Sequence, residues 1–189
     1  MVTIRRNTFE TNSSSTHSIC IPKNIDISTL PKSIKFYFGD FGWEESQANQ
    51  AAYLYTAICN LYYDDEESKD RTNAINKLKY TLDKYKIEYW FAPIKMVKYD
   101  FGKKDCRYYE DVGSIDHCSE LYEFLECVLN DEEMLIRYLI GGEVYTGNDN
   151  CCGSWYDDED CNGGFSMRDC ELAYDKPNQE QYDYFYKGN

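Results

Sequence analysis

The chain lacks features that would place it in a membrane or on nucleic acid. No apolar run in its 189 residues approaches the length of a membrane span, and the first ten residues lack the apolar core of a secretory signal, which predicts a cytoplasmic protein. Residues 105–189 hold only 5 Lys and Arg against 21 Asp and Glu, a net charge of −16. Residues 1–104 hold 15 Lys and Arg against 13 Asp and Glu and are nearly neutral. A field of this sign repels nucleic acid and attracts basic protein surfaces.

Histidine is also scarce, because the chain has only two, and each lies near a cysteine in sequence. The nine cysteines are an odd number, which argues against a fully paired disulfide framework, and clustered thiols in a cytoplasmic protein are typical of metal sites. Zinc takes four Cys, His or carboxylate ligands, so we predict a structural Zn²⁺ ion. The alternative is that each histidine is buried and hydrogen-bonded and that the cysteines pack in the core. The candidate ligands are His17, Cys20, His117, Cys118, Cys151, Cys152 and Cys161.

Residues 9–18, FETNSSSTHS, place three serines and a threonine directly before His17. A serine hydrolase needs a base within hydrogen-bond reach of its nucleophile, but no glycines of a nucleophile elbow flank these serines. Ser, Thr and Asn side chains bond to nearby backbone, which predicts a structured turn with His17 beside it as a metal ligand. The open alternative is a small hydrolase or transferase built from Ser13–Ser15, His17, Asp116 and His117, or from a zinc ion that binds water.

Four consecutive acidic residues lie in the C-terminal part of the chain. The run lacks the alternating oxygen ligands and the glycine of an EF-hand loop, which argues against calcium. Acidic and aromatic side chains together suit docking on a groove rich in Arg and Lys, so we predict a partner-binding surface here. The alternative is an ordinary solvated tail, and the last dozen residues are predicted to be mobile. The predicted partner-binding residues are Trp155, Tyr156, Asp157, Asp158, Glu159 and Asp160, with further aromatics at Tyr182, Tyr184, Phe185 and Tyr186.

The hydrophobic pattern predicts an α+β fold in a single domain, with a small mixed or antiparallel sheet packed by about four helices. Residues 1–150 are predicted to form the core of this domain, and residues 151–189 an irregular acidic extension rich in Cys and Tyr. Ser119 is predicted to cap the third helix. Apolar stripes at helical spacing predict helices over 54–62, 74–85, 121–129 and 131–139, and short β-prone runs predict strands at 18–21, 33–38 and 143–145.

A long, specific motif opens the chain, and four shorter ones follow it. The long motif is Arg6-Asn7-Thr8 followed by FETNSSSTHSICI. In these motifs, which together span roughly residues 4–150, the chain resembles a family of proteins from phages and prophages of Gram-positive bacteria. The Cys-rich tail lies outside the resemblance. The shorter motifs are FGWE at 41–44, YLYTA at 53–57, GSIDH at 113–117 and TGNDN at 146–150.

The chain is also similar in size and acidity to phage anti-CRISPR proteins that inhibit type II effector nucleases. This similarity implies a non-enzymatic inhibitor that binds the RNA-guided nuclease in the bacterial host cytoplasm and blocks loading of target DNA. Such a nuclease has a positively charged channel for nucleic acid, to which a segment of net charge −16 is physically suited. Besides the hydrolase or transferase, a further alternative is a phage structural or regulatory protein that has neither a metal ion nor a nuclease target.

Overall fold

The structure, a computed structural model, has an α+β fold, as the sequence predicts. The described residues form four α-helices and ten β-strands, in small sheets that include parallel and antiparallel pairs. Their buried apolar side chains form one hydrophobic cluster. The residues that the structure describes are 15–42, 46–62, 69–100, 106–116, 118–148 and 180–187.

The largest sheet is antiparallel and has four strands in the order β10-β1-β9-β4. Its central strands are β1 (Ser15–Pro22) and β9 (Glu143–Asn148), and its edges are β10 (Tyr182–Lys187) and β4 (Ser46–Ala48). Because side chains alternate across a strand, one face of this sheet carries apolar side chains of the core, among them Ile19 at 1% exposure.

Three two-stranded sheets complete the strand content of the described residues. The turn before β8 requires glycine, because Gly113 has a φ of +65° and a Cβ there would lie 2.2 Å from the Gly39 carbonyl oxygen. The three pairs are β2 (Ser33–Phe36) with β5 (Glu88–Phe91), parallel; β3 (Asp40–Phe41) with β8 (Ser114–Ile115), parallel; and β6 (Lys95–Asp100) with β7 (Cys106–Asp111), antiparallel.

The central helix, α1 (Gln50–Leu61), is buried on all sides. Asn49 caps it, because its side-chain oxygen accepts a hydrogen bond from the Ala52 backbone N–H at 3.0 Å. Every residue from Ala51 to Cys59 is buried, whereas the sequence predicts a single apolar stripe. A helix buried all round needs neighbours on every side, and here they come from the sheets and from the other three described helices.

The other three helices of the described residues pack around α1. They are α2 (Asp70–Lys84), α3 (Tyr122–Asn130) and α4 (Glu132–Gly141). Asp131 caps α4, because its carboxylate accepts hydrogen bonds at 3.0 Å from the backbone N–H groups two and three residues further on. None of the described helices combines the length and the apolar character that a membrane crossing requires.

Three local predictions are wrong. Ser15 and Thr16 do not lie in a turn, because they pair with β9 as the first residues of β1. Ser119 does not cap α3, because it lies in a 3-10 turn (Cys118–Leu121) that leads directly into the helix. Residues 182–187, predicted to be mobile, form the edge strand β10 and pair with β1 along its length.

Candidate functional site

A histidine and a tyrosine form a buried polar pair between β1 and α1. His17 and Tyr53 each have 0% of their surface exposed. Nδ1 of His17 and the hydroxyl of Tyr53 share a hydrogen bond of 2.6 Å, and the two rings meet edge to face. Burial raises the pKa of Tyr53 well above its ordinary value, and Tyr138 and Cys118 raise it further. The pair therefore joins a central strand of the large sheet to the central helix.

Each of the five motifs that carry the resemblance has a described residue in this pair or in a short chain of contacts that leads to it. The long motif contains His17, and YLYTA contains Tyr53. Phe41 of FGWE packs edge to face on the Tyr53 ring, with centroids 5.2 Å apart. Thr146 of TGNDN lies opposite His17 in the sheet, and Ile115 of GSIDH pairs with Phe41. These five described residues therefore belong to one connected part of the fold.

Among the described residues of the predicted enzyme set, no nucleophile and base are accessible to a substrate at this junction. His17 is enclosed in the core with its Nδ1 engaged by Tyr53, and Ser15 is buried at 1% exposure. Asp116 is half-buried directly after β8. A substrate would have to displace packed core side chains to reach His17. The remaining members of the predicted enzyme set, Ser13, Ser14 and His117, lie outside the described residues.

His17 and Cys20, two of the seven candidate zinc ligands, lie on opposite faces of the large sheet. The two residues are three apart on β1, so their side chains point to opposite faces. His17 faces Tyr53, whereas Cys20 lies near Ser18 and Glu143. Burial raises the pKa of Cys20 to about 11, against a hydrogen bond with Ser18 that lowers it. A thiol with this pKa is protonated near neutral pH.

The third described candidate ligand, Cys118, lies in the 3-10 turn before α3. Its Sγ lies 3.7 Å from the Ala57 carbonyl oxygen of α1, as a weak hydrogen-bond donor. The described residues contain no group of three His, Cys, Asp or Glu side chains that could hold a metal ion. The zinc site stays a prediction, because its other candidate ligands fall elsewhere in the chain. His117, Cys151, Cys152 and Cys161 lie outside the described residues.

Helices α3 and α4, which we name the acidic helix pair, carry a concentration of carboxylates. The only basic residue within 122–141 is Arg137, which is buried. Glu123 and Glu133 are exposed and form no ion pair with another described residue, whereas Glu132 pairs with a lysine of α2. The five carboxylates of the acidic helix pair belong to Glu123, Glu126, Asp131, Glu132 and Glu133.

The thiol of Cys127, in the middle of α3, lies in the negative field of the acidic helix pair. Burial of this half-buried side chain raises its pKa, and the carboxylates of Glu123, Asp183, Glu126 and Asp131 raise it further. Three of these four carboxylates belong to the acidic helix pair, and the fourth lies on β10. Their charges therefore act on one place and form a local concentration of negative charge.

A groove of about 680 Å³ lies between α2 and the acidic helix pair. In its wall, the Lys77 ammonium donates to the Asn130 side-chain oxygen at 2.6 Å, and the Tyr62 hydroxyl donates to a Glu126 carboxylate oxygen at 2.9 Å. Small-molecule pockets are mostly apolar with a few polar groups. Residues of both charge signs line this groove beside apolar ones, so its lining does not single out one class of ligand.

The predicted acidic and aromatic surface falls mostly on residues whose placement is not described. All four aromatics predicted to extend it, Tyr182, Tyr184, Phe185 and Tyr186, belong to β10. Phe185 packs edge to face on Phe124 of α3 with centroids 5.5 Å apart, so this side chain faces the core and not a partner. Trp155, Tyr156, Asp157, Asp158, Glu159 and Asp160 lie outside the described residues.

Two buried arginines were missed by the sequence reasoning. Arg71 of α2 is 3% exposed, and its Nη2 lies 2.8 Å from a carboxylate oxygen of Glu110 on β7. Arg137 of α4 is 8% exposed and donates from Nη1 to Asp183 on β10 and to the Pro22 carbonyl, both at 3.0 Å. Arginine is mostly exposed in proteins, so the residue type does not predict that either side chain is buried. Arg71 lies three residues before Ala74, the first apolar residue of the α2 stripe, and this spacing places it on the buried face of the helix.

Comparison of the chain with family models, with curated proteins and with solved structures finds no match in any of the three. The resemblance to phage proteins therefore stays a prediction that depends on the five motifs.

Proposed function

We propose that this chain is a phage-encoded inhibitor that binds a basic, nucleic-acid-handling protein in the bacterial host cytoplasm. The target we propose is a type II CRISPR RNA-guided nuclease, and binding would block its loading with target DNA. The observation that carries this proposal is the acidic helix pair, which has five carboxylates and a single, buried basic side chain. The motif resemblance supports the phage origin, and the net charge of −16 over residues 105–189 supports a basic partner.

The physical basis of this proposal is competition between carboxylates and phosphates. Duplex DNA carries one negative charge per about 1.7 Å of its axis, and the nucleic-acid channel of an RNA-guided nuclease is positive to match. The exposed carboxylates of Glu123 and Glu133 would take the place of phosphates in such a channel. Exposed charges are screened beyond about 10 Å at 0.1 M salt and about 3 Å at 1 M, so binding would weaken as salt rises.

The direct test is binding of the purified full chain to an immobilised, guide-loaded type II nuclease, measured by biolayer interferometry at low and high salt. We expect binding near 0.1 M salt and its loss near 1 M. The double variant Glu123→Lys and Glu133→Lys should weaken binding by roughly tenfold or more, because it reverses two exposed charges of the interface.

The matched control is Glu88→Lys on β5, which reverses one exposed carboxylate away from the acidic helix pair. This variant should bind as the unchanged chain does. Equal binding by the Glu123/Glu133 double variant would show that the acidic helix pair is not the docking surface. No binding by the unchanged chain at low salt would remove the type II nuclease as the target.

In this proposal the protein performs no chemistry, and the proposed Zn²⁺ ion has a structural role. Elemental mass spectrometry of the untagged protein, before and after chelation, measures the ion directly. We expect about one zinc ion per chain and a fall in the melting temperature after chelation, because the binding energy of a structural zinc ion is folding energy. Protein purified without metal would remove zinc from the proposal and leave the acidic helix pair to be tested separately.

A further inference from the structure

The small sheet of β2 and β5 presents two aromatic rings to solvent. Tyr37, directly after β2, is 46% exposed, and Trp90 of β5 is 48% exposed. Their ring centroids lie 5.4 Å apart at an interplanar angle of 55°. Lys35 of β2 is exposed and pairs in register with Trp90. We name Lys35, Tyr37 and Trp90 the basic aromatic face.

This face is held in place from behind. Phe36 is fully buried between Lys35 and Tyr37 in sequence, and its ring stacks on Phe91 with centroids 4.6 Å apart and an interplanar angle of 17°. The Tyr55 ring of α1 packs against both phenylalanines, and its hydroxyl donates to the Ala92 carbonyl at 2.9 Å. The exposed rings of Tyr37 and Trp90 are therefore carried by a sheet whose other side is anchored in the core.

Three exposed lysines lie in or just before the two strands of this face. Lys35 is in β2, Lys32 directly precedes β2 and Lys86 lies two residues before β5, and none of them forms an ion pair with another described residue. Two carboxylates are also near: Glu88 lies on the same exposed face of β5 as Trp90, and the backbone carbonyl of Asp83 accepts a hydrogen bond from the Lys86 N–H at 3.0 Å. The described segment 69–100, which supplies α2 and β5, holds eight Lys and Arg against four Asp and Glu, so this part of the chain is locally basic in a protein of net charge −14.

We propose that the basic aromatic face binds single-stranded nucleic acid. Exposed aromatic rings on a sheet stack unpaired bases, and neighbouring lysines contact the phosphates. Single strands are favoured over a duplex, because a duplex hides the faces of its bases. An acidic peptide would satisfy the lysines equally well but would leave the flat faces of Tyr37 and Trp90 without a stacking partner. The acidic remainder of the chain makes this binding weak and strongly dependent on salt.

The experiment is a fluorescence anisotropy titration of a fluorescein-labelled oligothymidylate with the full chain at low salt. Trp90→Ala should weaken binding by about tenfold, because one stacked base is lost. Lys35→Glu should weaken oligothymidylate binding and reduce its salt dependence. Trp90→Phe should retain most of the binding, because it keeps an aromatic ring. The matched control is Tyr122→Ala, which removes a tyrosine that is 55% exposed on the acidic helix pair and should leave binding unchanged.

Two competitors separate the ligand classes, and the assay contains no nuclease, so its outcome is independent of the proposed inhibitor function. Unlabelled duplex DNA and a polyglutamate peptide should each compete less well than unlabelled oligothymidylate. The proposal is overturned by absence of oligothymidylate binding at low salt, or by equal binding of the Trp90→Ala variant. It is also overturned if polyglutamate competes as well as the single strand, because the face would then bind acidic protein segments. If Trp90→Ala does not fold by circular dichroism, Lys35→Glu decides the question, and binding by this variant equal to that of the unchanged chain overturns the proposal.

Discussion

The basic aromatic face and the acidic helix pair are built in different ways within one protein. The basic aromatic face is one side of a two-stranded parallel sheet, with two exposed rings and a lysine. The acidic helix pair is two consecutive helices with five carboxylates. The first comes from the nearly neutral residues 1–104 and the second from the acidic residues 105–189. The net charge of −14 for the whole chain therefore does not predict the local charge of either surface, which depends on the side chains found there.

The two surfaces are also anchored differently. Arg71 ties α2, which packs behind β5, to β7, with Nε donating to the Tyr62 carbonyl at 3.0 Å besides its ion pair with Glu110. Arg137 ties the acidic helix pair to β10 and β1, but its Nε is buried without a hydrogen-bond partner among the described residues. Arg71 should therefore stabilise the fold more than Arg137 does.

The largest expected effect is on stability when Arg71 is replaced. Arg71→Met leaves the Glu110 carboxylate without its cation and the Tyr62 carbonyl without its donor. Removing one partner of a buried ion pair costs about 3–5 kcal/mol, so we expect a loss of that size in the free energy of unfolding measured in urea. Lys77→Met on the exposed side of the same helix should cost under about 1 kcal/mol. Equal losses for the two variants would contradict the assignment of Arg71 as an anchor.

A smaller loss is expected for the anchor of the acidic helix pair. Arg137→Met removes hydrogen bonds to Asp183 and to the Pro22 carbonyl, and bonds to charged groups contribute about 1.5–3 kcal/mol each at most. We expect a loss of about 2–3 kcal/mol in urea unfolding. Lys23→Met, which removes an exposed ammonium 3.9 Å from the same carboxylate, is the control and should cost under about 1 kcal/mol. A loss for Arg137→Met larger than that for Arg71→Met would reverse our comparison of the two anchors.

The buried pair of His17 and Tyr53 should affect stability without affecting either surface. Tyr53→Phe removes the hydroxyl that bonds to His17 and should cost about 1–2 kcal/mol in the free energy of unfolding. Its binding to the type II nuclease and to oligothymidylate should equal that of the unchanged chain under conditions where both are folded. A folded Tyr53→Phe variant that loses either activity would show that this junction acts in binding as well as in packing.

The smallest expected effect concerns the thiol of Cys127. Its burial and the neighbouring carboxylates raise its pKa, so less of it is thiolate near neutral pH and it should react slowly with an aromatic disulfide reagent. Glu123→Gln removes one of those carboxylates and should raise the rate at Cys127 about twofold, as expected for a partly exposed pair of charges. Mass spectrometry assigns the modified cysteine, and Glu88→Gln on β5 is the control. An unchanged rate in Glu123→Gln would mean that burial alone sets the reactivity.

The helices were easier to predict from the sequence than the strands, for physical reasons that particular residues make clear. Leu78 and Leu82 repeat at helical spacing in α2, and this pattern found the helix. The burial of α1 on all sides was missed, because residues such as Tyr53 and Thr56 are polar enough to suggest a solvent face. The edge strand β10 was missed because its sequence, YDYFYK, lacks a clear alternation of apolar and polar residues.

The candidate site was predictable only in part. Ser15 was assigned to a turn from local propensity, but its pairing with β9, more than a hundred residues away in sequence, outweighs that preference. The acidity of the second part was evident from composition, and 5 of its 21 Asp and Glu lie within residues 122–141. Tyr37 and Trp90 lie on separate strands, and only the parallel pairing of β2 with β5 brings their rings together.

The most direct test of the proposed function is a competition experiment with two charge-reversed proteins. A guide-loaded type II nuclease is incubated with the unchanged chain, with the Glu123→Lys and Glu133→Lys double variant, or with Lys35→Glu, and loading of fluorescent target DNA is followed by anisotropy. We predict that the unchanged chain and Lys35→Glu block loading and that the double variant does not. If the double variant inhibits DNA loading as strongly as the unchanged chain does, the acidic helix pair does not have the role we propose.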